Sequence, residues 1–299
     1  MQTNKLTPLL RFILCLILTL GSMLILMGSF TLLAYLTKND FMLTMVGLKT
    51  TTDPIKRAFT LLAASLLQNT ALVAGPVITT LCIWKKNLSG LGLTSLKQDW
   101  KDILTGLFLG FAGITIALIC LMASGSAKIT GVTTKYTTVI SICFLSYVAV
   151  ALGEEILSRG GLMLALKESK NPLLILGLPS LVFGFMHLGN EGVTPLAIIN
   201  LVGFGLYASY CFYRSGNIYL PIGFHFAWNF VQGNIYGFHV SGIQNYSFLK
   251  LDIVKENIFT GGAFGPEGGL GVTIALILIF ILTRFYYRNR SESPFMKNK

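Results

Sequence analysis

Residues 141–167 read SICFLSYVAVALGEEILSRGGLMLALK. This stretch decides the fold. It exceeds the roughly 20 apolar residues needed to cross a bilayer. A segment at that depth must be helical, because no water is present to satisfy free backbone N–H and C=O groups. Yet Glu154, Glu155 and Arg159 stand inside it. Each such residue at mid-membrane costs about 2.5–3.5 kcal/mol on insertion scales. Glu155 and Arg159 are four apart, share a helix face and can pair. Glu154 points about 100° away from that face and has no partner at helical spacing. A carboxylate so placed is a candidate general base. The plain structural alternative is a charge cluster that locks helices together.

The surrounding chain repeats the apolar part of this pattern. Of 299 residues, 53% are hydrophobic and 12% charged, against about 25% charged in soluble domains. The mean hydropathy is +0.69. This excludes an ordinary cytosolic enzyme, a disordered chain and a nucleic-acid module. The net charge of +11 is scattered between apolar blocks, as in the loops of a polytopic membrane protein. Charge-free runs cover 12–37, 58–84, 103–127, 136–153, 171–190, 192–213, 215–249 and 268–283. They predict an all-α polytopic membrane protein of about eight transmembrane helices, near 12–36, 59–84, 103–124, 138–166, 172–190, 195–213, 219–238 and 269–287. The whole of 1–299 reads as a single integral membrane domain.

The first run has about 25 apolar residues, against ~7–15 in a cleaved signal peptide, and is expected to be a retained anchor. Cys15, Cys82, Cys120, Cys143 and Cys211 all fall in apolar runs without metal-ligand spacing, and read as small buried hydrophobes. With eight spans, Lys and Arg divide 14 against 8 between the two sides, with Arg159 inside a span. The bias places both termini in the cytoplasm. The segment KKNLSGLGLTSLKQDWKD, Lys85 to Asp102, is the candidate interfacial helix, with Leu93, Leu96 and Trp100 toward lipid. Residues 37–58 and 239–268 are the longer loops. The second runs into TGGAFGPEGG at 260–269, read as a compact turn; a phosphate loop would need a Lys-Ser/Thr pair and a following strand.

Three histidines exist. His187 lies near the end of span five and His225 in span seven, while His239 reads as a surface loop residue. Phe183 and His187 are four apart, as are His225 and Asn229, so each pair shares a helix face. A lone histidine near a span is commonly a packing residue. Two of them beside a Glu-Glu-Arg helix point instead to a site of Glu154, His187, His225 and Asn229, assembled from converging helices. Those groups suit hydrolysis. Glu154 can take a proton from water, the histidines can position it, and Asn229 can donate to a developing oxyanion. His187, His225 and Glu154 also match the donor set of a catalytic zinc, although no HExxH helix is present. Both readings stay open. In this topology His187 sits late in one outward-running helix and His225 early in another, at different depths unless the span boundaries shift by a turn or two or span five is broken or displaced near Pro179.

Three motifs, in order and on separate apolar helices, carry a family resemblance: Glu154-Glu155-Ile-Leu-Ser-Arg159, Phe183-Gly-Phe-Met-His187 and His225-Phe-Ala-Trp-Asn229. Together they resemble the CAAX-processing and bacteriocin-processing (CPBP, or Abi) family of intramembrane proteases, of type II CAAX prenyl endopeptidase kind. The resemblance covers roughly 140–235, and places a catalytic core at 138–238. It implies an eight-helix membrane fold and peptide-bond hydrolysis. It further implies Glu154 as water-activating base, Glu155 as supporting carboxylate and Arg159 as the group orienting them. His187 and His225 become water- or metal-positioning groups, and Asn229 an oxyanion donor. Asn229 stands where some relatives carry His. The implied partners are the lipid bilayer and a membrane-associated peptide or protein, with no nucleic acid, in a bacterial cell membrane. A proton-coupled transporter would also bury Glu, Arg and His, but would often show inverted repeats. A non-catalytic immunity or scaffold protein would not need the full Glu/His/His/Asn set.

Overall fold

Four of the helices begin where the sequence places a capping residue directly before proline: Thr7-Pro8, Asp53-Pro54, Asn171-Pro172 and Thr194-Pro195. In each, the cap side chain accepts a hydrogen bond from the first turn, as Asp53 Oδ1 does from Ile55 N at 2.9 Å and Thr194 Oγ1 from Ala197 N at 3.1 Å. Proline at the first helical position lacks only an N–H that would have no intrahelical partner. The computed structural model describes residues 6–288. Lys5, Arg290, Lys297 and Lys299 of the orientation count lie outside the described residues.

Five helices are long and apolar enough to cross a membrane: Pro8–Thr37, Pro54–Ile83, Leu88–Ala123, Thr137–Ser169 and Pro195–Ser215. Pro172–Phe185 and Leu270–Tyr286 are shorter apolar helices. The seventh expected span is a helix at Tyr219–Phe230 that runs on through a wider turn, Val231–Tyr236. The chain is thus a mostly helical, integral membrane protein. Among the described residues the regular elements are α1 (Pro8–Thr37), α2 (Asp40–Met45), α3 (Pro54–Ile78), α4 (Leu96–Ala123), β1 (Ala127–Val132), α5 (Thr137–Glu155), α6 (Leu164–Leu166), α7 (Pro172–Phe185), α8 (Pro195–Ser215), α9 (Tyr219–Phe230), β2 (Leu249–Ile253) and α10 (Leu270–Tyr286). β1 and β2 pair antiparallel, from Ala127 opposite Ile253 to Val132 opposite Leu249. This small sheet between loops is an addition to the helical expectation. The interfacial helix expected over 85–102 is not continuous. Gly92 adopts φ 82°, closing a 3-10 turn at Leu88–Leu91, and α4 starts only at Leu96. Such a left-handed residue ends a helix.

The chain divides into two compact units, Met1–Leu93 with Thr137–Lys170, and Thr94–Tyr136 with Asn171–Lys299. In the first, α3 packs against α1 and α5. A Cβ on Gly153 would lie 2.1 Å from Asn69 Oδ1, so glycine is what lets α5 approach α3 there. Arg11, near the start of α1, is tied to Glu168 at 2.8 Å. In the second unit, α4 and α9 run side by side in the same direction. A Cβ on Gly106 would meet Leu220 O at 2.2 Å, and one on Gly110 would meet Phe224 O at 2.3 Å. Residues four apart on one helix meet residues four apart on the other. This is the small-residue contact that substitutes for the hydrophobic effect between helices in lipid.

Gly110→Ala should therefore destabilise the protein by about 1–3 kcal/mol, the usual cost of overpacking. Gly177→Ala, on α7 with nothing within 4 Å of the added carbon, should leave stability unchanged or raise it. Thermal unfolding of the two purified variants in detergent checks the contrast.

Candidate active site

The first motif lies in the first unit. α5 ends at Glu155 and continues as a π-helical segment, Ile156–Met163. Single widened turns of this kind insert an extra residue per turn and occur often at functional sites. Close packing supports it here. A Cβ on Gly161 would lie 2.9 Å from Pro76 Cγ and 3.2 Å from Cys15 Sγ. Arg159 Nη1 donates to Glu155 Oε1 at 3.1 Å, and both side chains are fully buried. The pairing expected from the four-residue spacing is present. Glu154, one position earlier, is only half-buried. The motif thus separates two carboxylates, one locked to a guanidinium inside the helix packing and one with partial access.

The second and third motifs lie in the second unit. α7 has 14 residues, about 21 Å at 1.5 Å per residue, short of the ~30 Å hydrocarbon core. His187 sits in the turn just beyond it. His187 Nδ1 lies 2.9 Å from Phe183 O. A carbonyl can only accept, so Nδ1 is the donor in this bond and Nε2 is the ring nitrogen left for another partner. The Phe183 ring stands between the two histidines, with centroids 5.2 Å from His187 and 5.9 Å from His225. Phe204 stacks on Phe183 at 5.6 Å and meets the His225 ring edge-on at 5.2 Å. His225 and Asn229 are both buried on α9, one turn apart. This unit therefore brings His187, Phe183 and His225 together around an aromatic wall, with Asn229 one turn beyond.

The structure also draws attention to a carboxylate that the motifs do not contain. Glu267, in the loop ahead of α10, is 5% exposed. Its Oε2 accepts from Ser241 N at 2.6 Å and Ser241 Oγ at 2.9 Å, while Asn200 Nδ2 donates to its backbone oxygen at 2.8 Å. Asn190, three residues after His187, donates from Nδ2 to Ser241 O at 3.0 Å, so the same loop braces the exit of α7. His239 belongs to this brace, with Nδ1 2.8 Å from Ala263 O. Burial pushes the Glu267 carboxyl up from the ordinary carboxylate range, against the opposing pull of Ser241, His187 and Gln232. The signal in the sequence was a single acid inside TGGAFGPEGG, whose Gly261, Gly262 and Gly265 all take positive φ.

A family model described as Rce1-like, type II CAAX prenyl endopeptidase, matches residues 136–231. The matched residues contain all three motifs, and the match bears out the resemblance those motifs carry. Neither the curated proteins nor the solved structures gave a match. Among the described residues, no group of three His, Cys, Asp or Glu side chains is placed to hold a metal ion.

Two expectations follow. Arg159→Ala leaves the Glu155 charge buried without its guanidinium and should cost about 3–5 kcal/mol; denaturant titration in mixed micelles measures it, and the double variant Glu155→Gln/Arg159→Met should recover part of the loss. For Glu267 the folded-state pKa is raised, so its protonated form is favoured by folding and stability falls as pH rises through that value. Glu267→Gln, a neutral isostere, should thus be at least as stable as the parent at pH 8. The difference should vanish below about pH 4, where the unfolded carboxyl is also protonated. Melting temperatures across pH 4–8 check the sign.

Proposed function

We propose that the chain is an intramembrane endopeptidase that hydrolyses peptide bonds of membrane-associated peptides or proteins, and that Glu154, His187, His225 and Asn229 serve one reaction. The observation that carries this reading is the ordered set of three motifs within the residues matched by the Rce1-like model. The geometry inside each unit supports it. Glu154 has partial access while its neighbour is held by Arg159, and the Phe183 carbonyl holds His187 through Nδ1, leaving Nε2 for another partner.

In this reading Glu154 takes a proton from a water molecule, which His187 and His225 orient. The resulting hydroxide attacks the carbonyl carbon of the scissile peptide. Asn229 donates its side-chain N–H to the oxyanion of the tetrahedral intermediate. Collapse breaks the C–N bond, and the proton held by Glu154 passes to the leaving amine. Glu155 and Arg159 keep the helix and Glu154 in register. A general base and an oxyanion donor in a water-poor site are each worth roughly 10²–10⁴-fold. The steps above use the protein's own groups; zinc held by His187, His225 and Glu154 is the alternative, and would supply a Lewis acid for the same water. The reading includes about eight spans, both termini in the cytoplasm of a bacterial membrane, and a core at 138–238 within one membrane domain.

Reconstitution in liposomes with a membrane-anchored peptide tests the proposal. Product formation is expected from the parent protein and should persist in a metal-free preparation with chelator present. Glu154→Ala should fall at least 100-fold while keeping the parent's melting temperature. Cleavage near the parent rate by the folded Glu154→Ala variant would refute the base assignment. Zinc at one per chain with chelator-sensitive cleavage would replace the glutamate mechanism by a metal-assisted one.

A further inference from the structure

At the C-terminal ends of α8 and α10 a cavity of about 560 Å³ gathers three guanidinium groups. Arg214 lies in the last turn of α8, Arg284 in the last turn of α10, and Arg288 just past it. Tyr210 lines the same cavity, and among the described residues no acidic side chain does. Arg214 is held in place, donating from Nη2 to Tyr287 O at 3.0 Å with its guanidinium 5.9 Å from the Tyr287 ring centre. It also borders a second cavity containing Asp99 and Asp102. Asp102 is engaged there, its oxygens accepting from Asn217 Nδ2 and Tyr286 OH, each at 2.7 Å. Among the described residues, neither Arg284 nor Arg288 enters an ion pair. The remaining wall is apolar, formed by Ile281 and Phe285, four apart on α10, 46% and 65% exposed.

The combination selects its ligand. Guanidinium groups match phosphate oxygens bidentately. Tyrosine beside arginine at the end of an apolar helix marks headgroup depth. An apolar strip leading away from the cluster suits hydrocarbon, which inorganic phosphate does not have. We propose that this cavity binds the phosphate head of an anionic phospholipid, with its acyl chains along Ile281 and Phe285. Basic pockets between membrane helices hold anionic headgroups in this manner. The site is separate from the motif residues, and the inference stands independently of the proposed proteolysis.

Purified full-length protein in neutral detergent is titrated with phosphatidylglycerol, phosphatidylcholine or inorganic phosphate, with the unfolding midpoint and lipid retention in native mass spectrometry as readouts. Phosphatidylglycerol should raise the midpoint well above the effect of the other two. Arg288→Gln, which lies outside the helix, should weaken apparent affinity about fivefold, and Arg284→Gln/Arg288→Gln on the order of 25-fold, at about fivefold per arginine. Lys128→Gln/Lys250→Gln removes the same charge within this unit but on the β1–β2 sheet, which follows the C-terminal end of α4 while Asp102 lies near its start; it should stay within about twofold of the parent, since charges beyond a Debye length are screened. Equal weakening by the lysine pair would show diffuse attraction and overturn the site. A full shift from inorganic phosphate, or no preference over phosphatidylcholine, would overturn the lipid assignment.

Discussion

A carboxylate and a guanidinium in hydrocarbon are tolerable only against each other. Separating the two groups from water costs several kcal/mol per ion, and only close pairing offsets it. The 3.1 Å bond between Arg159 and Glu155, with both side chains fully buried, is that solution. It fixes the helix that carries the first motif. The π-helical segment Ile156–Met163, Gly153 against Asn69 and Gly161 against Pro76 are the backbone arrangements that let neighbouring helices close around the pair. With Glu155 committed to Arg159, Glu154 is the member of the pair with partial access, and this asymmetry underlies its proposed role.

The second unit meets a related constraint by other means. Its polar residues are positioned by rings and close backbone contacts. Gly106 and Gly110 seat α9 against α4, and His225 packs edge-on against the stacked rings of Phe183 and Phe204. The shortness of α7 lets His187 reach the same ring system. The loop built on Glu267 braces the chain just after His187, through Asn190 and Ser241. A buried acid costs stability when ionised, so its position between loop and helix exit is a structural commitment of this unit.

Much of this was legible in the residues. Charge-free runs located every apolar helix, and the spacing of Glu155 and Arg159 predicted their pairing; α1 and α3 start four and five residues ahead of the expected 12 and 59, where a capping residue and a proline open the helix. The three motifs pointed to the family whose model matches 136–231. Other features were not legible, for physical reasons. Helix length within an apolar run depends on where the backbone turns, so α7 ends before His187 although the run continues. A π-turn has the same composition as an α-turn. The pairing of β1 with β2 joins segments more than a hundred residues apart, and short polar strands between loops carry little periodicity. The small-residue face of α4 was readable at Gly106 and Gly110, but its partner was set by tertiary contact. Glu267 looked like part of a turn because its Ser241 donors come from a distant loop.

The central claim is that motifs divided between the two units serve a single reaction. Residues that act as one catalytic unit lose activity non-additively. The decisive measurement is kcat/KM for Glu154→Gln, His225→Gln and the double variant on one membrane peptide. The account predicts that the double variant is impaired about as much as the worse single variant. Losses that multiply would show two independent contributions and contradict it.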